Sequence, residues 1–194
     1  MNTENKIIKL EDLAEVMKSL RMQNKKVVHC HGCFDLLHIG HIRHFRQARR
    51  KGDVLVITLT PDRFVDKGPG RPAFPEILRA EAIASLDLVD YVAINKWATA
   101  EETLRLLKPD FYAKGSEFKG ADSDYTGKID KELGVVEEIG AQMIFTEDIV
   151  FSSSSLINRF LSDKPEEIQE YLSLFRTRYN IERVHEVLDK MSSL

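Results

Sequence analysis

Residues 54–60, Val-Leu-Val-Ile-Thr-Leu-Thr, run without alternating between apolar and polar positions. A strand hidden on one face alternates, so this run reads as a central parallel strand covered on both faces. Parallel strands are joined by crossovers, usually helical, and the flanking sequence supplies them. Ile8, Leu10, Leu13, Val16, Met17 and Leu20 recur at helical spacing over 8–21, and Val27–Gly32 is a short β-branched run that ends at glycine. Leu36–Lys51 reads as a helix stopped by Gly52-Asp53. Helices over about 75–86, 99–107 and 128–139 then alternate with strands at Tyr91–Ile94, Phe111–Gly115 and Gln142–Thr146. The polar, glycine-containing stretch 116–127 reads as a loop over a site. The expected fold is α/β and Rossmann-like: a mainly parallel five-stranded sheet, helices on both faces and right-handed crossovers. Residues 1–160 form the expected domain, and 161–194 a polar helical tail or linker.

Composition narrows the class. The chain has 194 residues, 43% of them hydrophobic and 30% charged, as in a globular protein. A net charge of −3 gives no global basic footprint for nucleic acid. No stretch approaches the roughly 20 apolar residues of a membrane span, and Met1-Asn-Thr-Glu-Asn-Lys lacks the order of a secretion signal. The expectation is a cytoplasmic protein. Cys30 and Cys33 lie on one strand and its exit, three apart and on opposite faces, so no bridge between them is expected. A redox or metal role for the pair stays as an alternative.

The chemistry is concentrated between His29 and His44, where five of the six histidines fall. This is the exit of the first strand and the start of the first crossover helix. Ligands of open α/β sheets bind there, outside the carboxyl ends of the strands. His38, Gly40 and His41 sit where free backbone N–H groups and the helix dipole favour phosphate, and Gly40 lets a phosphate approach the backbone. His29 and His31 are read as packing or hydrogen-bonding residues. His44, a turn further on, is read as a surface residue or a substrate contact.

Gly32-Cys33-Phe34-Asp35 followed by His38-Ile39-Gly40-His41 resembles the signature of the cytidylyltransferase-like nucleotidyltransferase superfamily, G-x-F-D-x-x-H-x-G-H. Lys67-Gly68, Arg71-Pro72, Pro75 and Arg79 are similar to the loop and helix of heptose-phosphate adenylyltransferases. Lys114-Gly-Ser-Glu-Phe118 resembles that family's Lys-Gly-Gly-Asp-Tyr, with serine and glutamate replacing glycine and aspartate. Phe151 to Ile157, with Ser152, Ser153, Ser154 and Ser155, resembles a late superfamily motif that starts a helix beneath a triphosphate. Glycerol-3-phosphate cytidylyltransferase shares these parts. The likeness covers roughly 25–160.

The resemblance implies transfer of a nucleoside monophosphate from CTP or ATP, with a slight lean to ATP, to a phosphorylated sugar or polyol, with release of pyrophosphate. It places His38 and His41 on the triphosphate and its transition state and Lys67 on the α- or β-phosphate. Arg79 anchors the acceptor or the nucleotide phosphates. Gly32, Cys33, Phe34, Asp35, Gly40, Lys114 and the four serines line the nucleotide site. Mg²⁺ is expected with the triphosphate, held by its oxygens and water rather than by a protein site. A homodimer is expected, and relatives are often fused to a sugar kinase. The rival readings are a nucleotide-binding module without turnover, and the Cys30/Cys33 metal or redox protein.

Overall fold

The computed structural model describes residues 3–67, 71–116 and 128–147. The expectations for 116–127 (beyond Ser116), for Ser152–Ser155 and for the tail lie outside the described residues. Five strands, β1 (Val27–Gly32), β2 (Val54–Leu59), β3 (Tyr91–Ile94), β4 (Phe111–Gly115) and β5 (Gln142–Thr146), form one sheet in the order β3-β2-β1-β4-β5. Every pairing is parallel, with His31 beside Thr58 and His29 beside Tyr112.

Chain order and handedness place the helices. From β1 the chain moves outward through α2 (Ile39–Arg49) to β2 and through α3 (Glu76–Ala84) to β3. It then returns through α4 (Glu101–Leu107) to β4 on the far side of β1, and α5 (Lys128–Glu138) leads to β5. Right-handed crossovers running in opposite directions from β1 must cover opposite faces. Accordingly Phe45 and Ala48 of α2 and Ala80, Ile83 and Ala84 of α3 pack on Val28, Cys30, Leu55 and Ile57. On the other face α1 (Leu10–Met22) brings Leu10, Leu13 and Met17 onto Val27, Val54 and Val56. Leu104 of α4 and Val135 and Val136 of α5 cover Tyr112 there. The order reverses between β1 and β4, which makes their carboxyl ends the switch-point crevice.

The opposite rim is closed by a device the sequence reading missed. Asp53, Asp90 and Asp110 each stand one residue before a strand. Asp53 accepts the N–H of Lys26 at 2.8 Å, Asp90 that of Leu55 at 2.7 Å and Asp110 that of Val27 at 2.9 Å. Each carboxylate ties the entry of its own strand to the neighbour, so the amino-end rim is sealed and the carboxyl ends face the site.

The helix boundaries are shorter than periodicity implies. The helix expected over Leu36–Lys51 runs Ile39–Arg49, because His38 is its N-cap in extended backbone. The residues before it are spent on a tight exit from β1. Phe34 takes a left-handed φ of 46°, and its ring folds back over Gly32. A Cβ on Gly32 would stand 3.0 Å from the tip of that ring. Gly32→Ala is therefore expected to destabilise the fold by about 1–3 kcal/mol through overpacking. Thermal unfolding checks this, and adding Phe34→Leu should restore most of the loss.

Candidate active site

Helix period sets the first contact. His38 and His41 are three apart at the start of α2, so their side chains share a face. Their rings stack with centroids 3.8 Å apart and planes at 23°. His41 also meets the Phe34 ring edge-on at 5.2 Å, and Phe34 in turn packs on Phe45 at 5.0 Å. The strained turn after β1 thus builds the wall that holds the second imidazole.

Hydrogen bonding fixes the proton on His38. Its Nδ1 accepts the backbone N–H of Gly40 at 3.1 Å, so the neutral ring carries hydrogen at Nε2. Among the described residues that Nε2 is shielded from solvent and has no partner, and neither does Nδ1 of His41. Burial lowers the pKa of His38, and it lowers that of His41 to about 3, with His38, His44 and Lys67 adding to the shift. Both rings are neutral near pH 7. The His38 Nε2–H is thus an uncharged, shielded donor, and a buried donor without a partner costs about 1–3 kcal/mol until an acceptor arrives.

Around this pair, Asp35 is buried and receives the Nε–H of Arg71 and the N–H of Ala73. It shapes the turn from within. Lys67 is exposed, and its charge acts on both the Cys33 thiol and His41. Burial raises the pKa of Cys33 and, further, of Cys30. Both are free protonated thiols, which suits neither disulfide exchange nor metal binding.

Arg79, expected as an anchor of the acceptor or the nucleotide phosphates, is only 2% exposed. Its Nε donates to the carbonyl of Phe74 at 3.0 Å, Nη1 to the carbonyl of Cys33, and Nη2 to the carbonyl of Thr60 at 2.9 Å and to Asp62 at 2.6 Å. These groups come from the exits of β1 and β2 and the approach to α3. Arg79 braces three loops. Its sequence motif holds no sign of this, because the partners are carbonyls brought together only by the fold.

Lys114 stands at the crevice on the α4/α5 face. It pairs with Glu132 of α5 at 2.6 Å, and Tyr112 donates to the same carboxylate oxygen at 3.0 Å. The ammonium is close enough to bear on His29, His31 and His44. Glu132 was missed because its partners lie 18 and 20 residues away, across a crossover. His29 and His31 hydrogen-bond from the strand as expected, both at 2.8 Å to the Thr58 hydroxyl. His44 is half-buried, and its Nδ1 meets the Thr146 hydroxyl at the end of β5 at 2.7 Å.

The buried rings set an acid limit on stability. Burial holds His29 to about 3 and His44 to about 4. The unfolded value is near 6.5. Above pH 6.5 these rings are neutral in both states and stability is complete. Below it the unfolded chain binds protons that the folded chain refuses, so stability falls until the folded pKa is reached. The slope is about 1.4 kcal/mol per pH unit for each ring. Urea unfolding at pH 7 and pH 5 should therefore differ by about 2 kcal/mol per ring. A flat profile over that window would show that the rings are charged or hydrated in the folded state.

Among the described residues no helix is long and apolar enough to cross a membrane, and no group of three or more His, Cys, Asp or Glu is arranged to hold a metal ion.

Comparison with known proteins bears on the same segment. The family described as cytidylyltransferase-like matches residues 29–160. The bifunctional protein HldE of Desulfatibacillum aliphaticivorans is 36% identical over 156 residues, covering 78% of this chain and 30% of the relative. That of Geobacter metallireducens is 36% identical over 174 residues, covering 86% and 33%. The chain thus spans about a third of the length of these relatives. A lipopolysaccharide core biosynthesis protein from Thermoplasma volcanium, known from its crystal structure, is 28% identical with a TM-score of 0.51, covering 65% of this chain and 99% of that one. Pantoate-beta-alanine ligase from Francisella tularensis shares the fold at 16% identity and a TM-score of 0.53, covering 96% and 85%. The family match takes in the strand exit, the stacked histidines and the switch-point crevice together, and on it this chain is a member of the cytidylyltransferase-like family.

Proposed function

We propose that the chain is a nucleotidyltransferase that moves a nucleoside monophosphate from ATP or CTP onto the phosphate of a sugar or polyol. The observation that carries this is the His38 Nε2–H, a shielded donor with no partner among the described residues, stacked on a second neutral imidazole at a helix start. Such donors suit an oxygen whose negative charge grows during reaction. An oxygen of the acceptor phosphate attacks the α-phosphorus in line, the bond from that phosphorus to the bridging oxygen breaks, and pyrophosphate departs with the electron pair. His38 and His41 steady the phosphoryl oxygens, Lys67 adds charge from the loop, and no side chain forms a covalent intermediate. Family membership and the HldE relatives support the same class.

The donors present fit a polyphosphate without a protein metal site. Lys, His and backbone N–H groups dominate, and Mg²⁺ would be carried on the triphosphate, where it neutralises charge on the leaving group. The heptose-type loop around Arg71 favours ATP over CTP. The bifunctional relatives favour an acceptor made by a sugar kinase, fused or separate. A cytoplasmic homodimer is part of this reading.

Pyrophosphate release with ATP or CTP and Mg²⁺, measured against a panel of hexose and heptose 1-phosphates and glycerol 3-phosphate, tests it. Release that depends on both nucleotide and acceptor is the expected result. Nucleotide binding without release for any acceptor would favour the module without turnover.

A further inference from the structure

Arg79 is held by three carbonyls and Asp62, whereas the neighbouring Arg71 is less fully engaged. Its side chain is 8% exposed. Its Nε donates to Asp35, a carboxylate with no exposed surface, and the other Asp35 oxygen is taken by the N–H of Ala73. The Nη2 of Arg71 is shielded from solvent and has no partner among the described residues. Guanidinium nitrogens are donors only, so this N–H is left without an acceptor even though the charge itself is paired with Asp35. His29 Nδ1 is also without a partner among the described residues, but that ring is neutral and held on the Thr58 hydroxyl of the strand, so it carries no charge for an anion to answer.

Position supplies the second observation. Asp35, which holds Arg71, is three residues before His38 on the same strand exit. The charges of Arg71 and Lys67 both act on the Cys33 thiol in that exit. Among the described residues four buried polar side-chain atoms have no partner, and three of them, on His38, His41 and Arg71, belong to this turn and the loop against it. An oxygen-rich anion offers the kind of acceptor that the donors on His38 and Arg71 lack.

We infer that Arg71 is an anion-binding residue of this site: Asp35 orients the guanidinium, and Nη2 donates to a phosphoryl oxygen of a bound substrate. This rests on reading the site as a phosphate site. The oxygen belongs to the nucleotide tail or to the acceptor phosphate, and two probes separate them. Calorimetric titration with tripolyphosphate stands for the tail. Titration with inorganic phosphate at saturating tripolyphosphate stands for the acceptor.

Arg71→Gln is expected to weaken one of these affinities at least tenfold, while the thermal midpoint shows it folded. Arg71→Lys keeps the charge but not the planar fork, and should lose at least threefold on the same probe; it decides the question if the glutamine variant does not fold. Wild-type affinity for both probes in a folded variant, or no binding of tripolyphosphate by the wild type, overturns the inference. Neither readout needs turnover. A failed pyrophosphate assay would remove the proposed reaction and leave this test intact.

Discussion

Replacing His38 and His41 together by alanine is expected to lower kcat by about 10³-fold or more, since removing one donor to a developing oxyanion costs about 10²–10³. The fold should survive. His38 caps α2 through the Gly40 N–H, and loss of a cap costs about 1 kcal/mol, a fall of a few degrees in the thermal midpoint of a domain this size. His38→Asp separates the two roles. It keeps an acceptor for Gly40 and suits the helix dipole, so α2 stays capped, but a carboxylate repels phosphate. Its kcat should fall as far as that of His38→Ala while its midpoint stays near the wild type. A double-alanine enzyme retaining more than a tenth of wild-type turnover would remove the stacked pair from the reaction.

Arg79→Met should produce the opposite signature. It strands Asp62 and leaves the carbonyls of Cys33, Thr60 and Phe74 without their shared donor. Breaking a buried charged network by removing one partner costs about 3–5 kcal/mol. Thermal unfolding should show this as a drop of about 10 °C. Lys67→Met, at an exposed loop position, should change stability by less than about 0.5 kcal/mol. At a temperature where Arg79→Met is folded, its KM for nucleotide should stay within about threefold of the wild type. An unchanged midpoint with a KM raised tenfold would make Arg79 the phosphate ligand that its motif implies, and the brace would be the wrong reading.

The two arginines show why the motif was only half legible. Arg71 and Arg79 both belong to the loop-and-helix resemblance, and nothing in their spacing separates a ligand from a brace. The difference arises because α3 lies under the exits of β1 and β2, which surrounds Arg79 with carbonyls and leaves Arg71 against Asp35. Glu132 was invisible for the same reason. A carboxylate on a polar helix reads as solvated until α5 packs on β4 and brings it to Lys114 and Tyr112. His44 meets a hydroxyl 102 residues away, a distance that no local pattern encodes.

Periodicity and spacing were sufficient for whatever depends on neighbours along the chain. The unbroken apolar run of β2 demanded cover on both faces, the helical repeats supplied it, and two histidines three apart at a helix start had to share a face. Those features follow from backbone geometry, which is local. Which polar group is buried, and against what, depends on the sheet order and on strands and helices that meet from distant parts of the chain. That is where Arg79 became a brace, His38 was left holding an unmatched proton, and Arg71 kept its spare donor.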